Sequence, residues 1–209
     1  FGAQVLHPVS MRPVIRASIP VYVGSSLHPH QGGTWIRPNV AMLRPTIRAI
    51  SVRNNQILIT IRSRNMFQAR GFLAKVFTVL ATYNISVDLV TTSEVSVAIT
   101  IDELDTSHPN NQKILTDALV DIQVIGHVSV TMEHDLSLIA LIGNGLTETS
   151  GLSCQIFQVL QPFNIRMISH GASEHNICML VDTAHATEVI TNLHNQFFIT
   201  TGESVCVSQ

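Results

Sequence analysis

The sequence predicts an α+β protein made of two interleaved β-α-β-β-α-β units with antiparallel sheets, preceded by a short segment of different character. Three observations carry that expectation. The chain repeats itself at an offset of 80 residues, Leu58 falling on Leu138. Within each copy, apolar residues switch between period two and helical period in one fixed order. The composition, 209 residues with 45% hydrophobic and 12% charged, belongs to a folded chain with a real core.

The repeat is free of gaps. Gly71 falls on Gly151, Phe77 on Phe157, Val79-Leu80 on Val159-Leu160, and Asn84-Ile85 on Asn164-Ile165. Ser93-Glu94 falls on Ser173-Glu174 and Asp102 on Asp182. One register kept over so many elements marks two copies of one supersecondary unit.

In the first copy, QILITIR (56–62) is β-branched and reads as a strand. GFLAKVFTVLATY (71–83) places Phe72, Val76, Val79, Leu80 and Tyr83 at helical spacing. SVDLVTT (86–92) and VSVAITI (95–101) read as two strands around a tight join. NQKILTDALVDI (111–122) is helical through Ile114, Leu115, Ala118, Leu119 and Ile122, and HVSVTME (127–133) alternates again. This is the ferredoxin-like order.

The second copy supplies LSLIALI (136–142), GLSCQIFQVLQPF (151–163), IRMIS (165–169), NICMLVD (176–182) and ATEVITNLHNQFF (186–198). Its fourth strand is weak or missing, while TIRAISVR (46–53) stands unassigned before the first copy. The expectation is that this early strand completes the second unit, so that the first is inserted into it. The alternative is that SVCVS (204–208) supplies the strand locally. The expected division is 1–40 for the remnant and linker, 55–133 for the first unit, and 44–54 plus 134–209 for the second.

Residues 1–37 differ in character. Pro8, Pro13, Pro20 and Pro29 punctuate them, with Pro38 just beyond; IPVYVGSS (19–26) reads as one short buried strand and GGT (32–34) as a turn. The stretch is too short for a domain and reads as the end of something larger, or a linker with one docked strand. The start at Phe1 rather than Met fits a fragment or a trimmed product.

Charge and cysteines narrow the partners. A net charge of −2 supplies no field for nucleic acid or anionic lipid. Ten histidines make the chain more cationic below about pH 6.5. Cys154, Cys178 and Cys206 have no metal spacing and read as reduced thiols of a cytoplasmic protein. No signal peptide is evident, and no run of about 18 apolar residues predicts a membrane helix.

The chemistry concentrates in ISVDLVTTSEVSV (85–97). Asp88 interrupts an apolar strand, and Thr91, Thr92, Ser93 and Glu94 form a join where a plain hairpin would use Asn-Gly or Asp-Gly. Read by themselves, Ser93 and Glu94 could only shape the turn, and Asp88 could be a solvated edge residue. SHGASEH (169–175) crowds Ser, His and Glu into seven residues, whereas a triad draws on separate elements. HPH (28–30) is too few ligands for a metal, Met132, Met167 and Met179 read as core, and no P-loop pattern surrounds Gly32-Gly33. An RNA-binding reading of the same fold needs strand aromatics that QILITI and VSVAITI lack.

FGAQVLHP (1–8), IPVYVGSS and GGT resemble the closing segment of an aspartate kinase catalytic domain. RNMFQARGFLAKVF (64–77), ISVDLVTTSEVSVAIT (85–100) and FNIRMISHGASEHNICMLV (163–181) resemble the tandem ACT domains of that family, in its lysine-sensitive, single-function bacterial form. The resemblance runs over nearly the whole chain. It implies a regulatory region that binds L-lysine where first ACT domains meet in a homodimer and feedback-inhibits aspartate phosphorylation. It also implies a parent enzyme using ATP and Mg, of which this chain lacks most of the catalytic core and, alone, should be inactive. No cofactor or metal is expected in the chain itself.

By the same resemblance the effector site is Met66, Gly71, Phe72, Leu73, Ser86, Val87, Asp88, Ser93 and Glu94. The helix start at Gly71 suits a carboxylate, Asp88 and Glu94 suit ammonium groups, and Met66 and Phe72 would pack an aliphatic stem. Gln4 stands where the family usually carries a nucleotide-proximal Lys, and Ala69 where it usually carries Ser. The second copy has Ile168 at the Asp88 position, with Leu152 and Ser153 for Phe72 and Leu73. It is therefore expected to bind no lysine and to serve as a packing partner.

Overall fold

Two long antiparallel strands, β3 (Ile47–Arg62) and β6 (Ser129–Gly143), run side by side through both halves of the repeat. The structure, a computed structural model, describes residues 6, 8–37, 46–63, 70–102, 109–125 and 128–199. Gln4, Met66, Ala69 and the 204–208 segment lie outside the described residues. The remaining elements of the repeat are α2 (Phe72–Thr82), β4 (Val90–Thr92), β5 (Ser96–Asp102) and α3 (Pro109–Val124). After β6 come α4 (Leu152–Leu160), β7 (Ile165–Ser169), β8 (Asn176–Asp182) and α5 (Thr183–His194). They form one antiparallel sheet in the order β4-β5-β3-β6-β8-β7.

Each long strand serves two units. The back half of β3 pairs with β5 (Ile59 opposite Ile99) and with the front of β6 (Ile61 opposite Val130). The front half pairs with the back of β6, Val52 opposite Ile139 and Ile50 opposite Leu141. The back of β6 pairs in turn with β8. The fold is thus two interleaved ferredoxin-like units of the α+β class. Sequence patterning reads each long strand as two pieces, broken near residues 54 and 134. The backbone instead passes through with one left-handed residue at each crossing, Asn55 (φ 57°) and Asp135 (φ 56°), and register shifts between Arg53 and Leu58. Asn and Asp are the side chains that tolerate this conformation best.

Strand alternation divides the core. Ile57, Ile59 and Ile61 face α2 and α3, packing with Val76, Leu80, Val97, Ile99, Ala118 and Ile122. Ile139 and Leu141 face α4 and α5, packing with Ile156, Leu160, Met179, Val189 and Leu193. Each such side chain contributes about 1.5–3 kcal/mol on leaving water. The opposite sheet faces meet each other: Leu58, Leu136, Leu138, Met167, Cys178 and Leu180 form a third cluster, flanked by Leu89 and Ala98. This brings β4 beside β7.

Three segments differ from expectation. The strand expected over 86–92 shortens to Val90–Thr92, because Asp88 and Leu89 both pair with Thr100 (Asp88 N–H to Thr100 carbonyl and Thr100 N–H to Leu89 carbonyl, each 2.9 Å) and bulge the edge. The helix expected to reach 198 ends at His194 and passes into a wider π turn, Asn195–Ile199, that buries Phe197. Near the start, a helix α1 (Pro8–Arg16) and a hairpin of β1 (Val21–Gly24) and β2 (Gly33–Ile36) replace the single buried strand. Proline is tolerated where a helix begins, as at Pro8. The hairpin is not buried: Tyr22 and Trp35 pack on each other at 5.1 Å and are 46% and 53% exposed. No helix among the described residues is long and apolar enough to cross a membrane.

Candidate functional site

Gly71 starts α2 in the left-handed region (φ 77°), and among the described residues no side chain caps the helix. A Cβ there would meet nothing within 4 Å, so the backbone angle and not crowding selects glycine. The first-turn N–H groups, among them those of Phe72 and Leu73, are left by the helix itself without partners. Phe72 sends its ring into the core at 8% exposure, which leaves its backbone for a ligand; Leu73 presents an exposed side chain.

The Thr-Ser-Glu join lies at the same end of the unit. Ser63 N–H donates to the Val95 carbonyl (2.9 Å), tying the join to the end of β3, from which the chain leads on to Gly71. Ser93 N–H donates to the Ser96 carbonyl (2.8 Å), and the two serine hydroxyls meet at 2.6 Å. Ser86, Ser93 and Glu94 are exposed, and Val87 packs partly against the first core. Asp88 stands apart from this end. It pairs with Thr100 while Thr92 pairs with Val97, a separation of three residues along β5 or about 10 Å.

Asp88 is already engaged. Arg53 Nη1 donates to Asp88 Oδ2 at 2.9 Å, and Arg53 Nη2 donates to Asp102. Gln56, 1% exposed, donates from Nε2 to Asp102 Oδ1 (2.6 Å) and to the Asn54 carbonyl (3.3 Å); its Oε1 has no partner among the described residues. Sequence reasoning misses Arg53, which reads only as the end of a strand. Two carboxylates on neighbouring strands, Asp88 and Asp102, were the available signal that a cation lay between them. Beside this cluster, burial first and then Asp88 push the Cys178 thiol up to about 11, against a smaller opposite pull from Arg53. Cys178 is therefore a protonated, unreactive thiol at neutral pH.

The second unit keeps the frame and changes the chemistry. Gly151 repeats the left-handed start (φ 80°). Between α4 and β7–β8 lies a cleft of about 200 Å³ lined by Ser153, Ile156, Phe157, Leu160, Ile168, His170, Ile177 and Met179. Asp182, the counterpart of Asp102, caps α5 by accepting the Ala184 N–H (2.8 Å).

A protein-family model for the ACT domain matches residues 59–108 and 139–197. The chain belongs to the ACT domain family. Its two ACT units are similar to those of the aspartokinases. Over 198 residues it is 47% identical to lysine-sensitive aspartokinase 3 of Escherichia coli K12, which covers 95% of this chain and 43% of that enzyme. It superposes on E. coli aspartokinase III in complex with aspartate and ADP, R-state, with a TM-score of 0.80 at 46% identity over 95% of this chain and 44% of that one. Against the T-state of that enzyme, in complex with lysine and aspartate, the TM-score is 0.77 at 47% identity, over 95% and 43% of the two chains. The chain thus spans less than half the length of the curated relatives it matches.

Proposed function

We propose that this chain is the regulatory region of an aspartate kinase, one that binds L-lysine between the first ACT units of two copies and feedback-inhibits aspartate phosphorylation in lysine biosynthesis. The supporting observation is the arrangement of the first unit's edge. An uncapped helix start at Gly71 offers N–H groups to a carboxylate, and Asp88 and Glu94 on the same edge offer two acceptors to ammonium groups. Two copies of the unpaired β4 edge, related by a two-fold axis, would bring the helix start of one near Asp88 of the other. Met66, Gly71, Phe72, Leu73, Ser86, Val87, Asp88, Ser93 and Glu94 are the residues of that interface. The lysine-bound T-state relative supports the choice of effector.

The rest of the division follows. The first ACT domain is 55–133 and the second is 44–54 plus 134–209. Residues 1–40 close a kinase domain upstream, where ATP and Mg would be held and Gln4 would face nucleotide. The exposed Ile15, Ile19, Tyr22 and Trp35 suit a segment covered by more of the same polypeptide. The whole enzyme is cytoplasmic. Binding at the interface shifts a two-state equilibrium, and by reciprocity the substrates shift lysine affinity.

Isothermal titration of the full chain with L-lysine tests this. Asp88→Ala should weaken binding at least tenfold, about 1.4 kcal/mol; unchanged affinity sinks the site. In a thermal-shift panel of free L-amino acids lysine should stabilise most, since the shift follows RT ln(1 + [L]/Kd). A response to threonine alone would refute the effector.

A further inference from the structure

Residues 53–56 are where β3 passes from the second unit's sheet into the first's, and their side chains hold both. Arg53 reaches Asp88 and Asp102 of the first unit. Asn54 Oδ1 accepts the Ser137 hydroxyl (2.9 Å), and that hydroxyl meets Thr183, the first residue of α5 in the second unit (2.9 Å). Gln56 sits buried between them, and its Oε1 has no partner among the described residues.

We propose that Arg53 is an internal competitor for the effector site: its guanidinium occupies Asp88 in the empty protein, and an ammonium group arriving at Asp88 must displace it. This rests on the reading that Asp88 receives an amino-acid effector. Asp88 and Arg53 are each about one-third exposed, with side chains at 32% and 30%. Partly exposed pairs of this kind are weak, so a ligand cation can replace the guanidinium. The planar fork of Arg spans two carboxylates at once, which a point charge cannot do. Once released from Asp88, Arg53 keeps Asp102, whose Oδ1 also accepts from Gln56 Nε2.

Two consequences follow from that placement. A neutral ligand group at Asp88 would leave Arg53 in place, so the pair selects for a cation there. Displacement also acts at the crossing of the two units, next to the left-handed Asn55 and one residue from the Asn54–Ser137–Thr183 chain. Occupancy of the first unit is thereby passed to the start of α5 in the second.

L-lysine titration of the full chain and its variants tests the competition. Arg53→Gln should bind lysine about two- to fivefold tighter, and Arg53→Lys should fall between it and the wild type. The gain should vanish in an Asp88→Asn background, where nothing is left to compete for. Unchanged or weaker binding by Arg53→Gln overturns the proposal, as does a gain that persists with Asp88→Asn, which would mark a general field effect. If Arg53→Gln does not fold, Arg53→Lys decides, and affinity at or below wild type overturns the proposal. Asp88→Asn binding lysine as the wild type does would instead sink the site on which the proposal rests.

Discussion

At the position where the first ACT unit holds Asp88, the second holds Ile168, and the consequences spread outward from that one difference. In the first unit the carboxylate draws Arg53 across from the strand shared with its neighbour, and Asp102 and Gln56 join the cluster. In the second the same position lines an apolar cleft, and Asp182 turns to cap a helix. The frames meanwhile agree in detail: left-handed glycines at 71 and 151, and left-handed crossings at 55 and 135. Repeated backbone with divergent side chains separates what the fold requires from what a ligand requires. The Ser-Glu join is present in both units, whereas the Asp88 carboxylate is carried by the first and not the second.

The sharpest way to break this comparison is to ask whether the units are separable at all. Ile59 and Ile139 are counterparts, both fully buried, each in its own unit's helix-facing core. Truncating either to alanine should cost about 2–5 kcal/mol. Because β3 and β6 run through both sheets, each variant should lower the midpoint of a single urea transition followed by circular dichroism. Two separated transitions would show that the shared strands do not couple the units.

Much of this frame was legible in the sequence, for a physical reason. The register of an 80-residue repeat and the period of apolar positions are local or self-referential signals, so the strands at 56–62 and 176–182 and the helices at 71–83 and 151–163 stand out. That 46–53 completes the second unit was readable because the second copy lacked a strand and an unclaimed one lay upstream; the structure pairs it with 138–143. What escaped was set by tertiary contact. Asn55 and Asp135 look like turn residues, yet they carry continuous strands through a left-handed step. Arg53 lies 35 residues from Asp88, and nothing in its neighbours indicates the pairing. The exposed strand at 21–24 read as buried because β-branched and aromatic residues suit a core equally well.

A smaller effect tests the agreement of the frames. Gly71→Ala and Gly151→Ala meet no neighbouring atom within 4 Å, so their cost is backbone strain alone. Each should lose about 1–2 kcal/mol by the same urea assay. Only the first should also weaken lysine binding in a titration, since only its helix start belongs to the proposed site. Equal effects of the two on affinity would place the second unit in the effector site as well.

The smallest effect concerns another pair of counterparts, Tyr83 and Phe163. The Tyr83 hydroxyl donates to Asp121 Oδ2 at 2.7 Å, joining the end of α2 to α3, whereas Phe163 tilts against His185 at 5.9 Å. The hydrogen bond to Asp121, with smaller contributions from burial and from the Asp121 and Asp117 charges, raises the Tyr83 pKa above its ordinary value of 10.0. A raised folded pKa means that the native state holds this proton more tightly than the unfolded chain does. The stabilisation it adds is complete below the unfolded value and fades as pH rises through the folded one. Tyr83→Phe should therefore lower the urea midpoint slightly at pH 8, and the gap to wild type should close in the alkaline range above pH 10. Ultraviolet titration of the phenolates should show the latest-ionising tyrosine missing from the variant. A gap that stays constant with pH would mean that Tyr83 contributes only its ring, as Phe163 does, and that the two helix pairs are held in the same way.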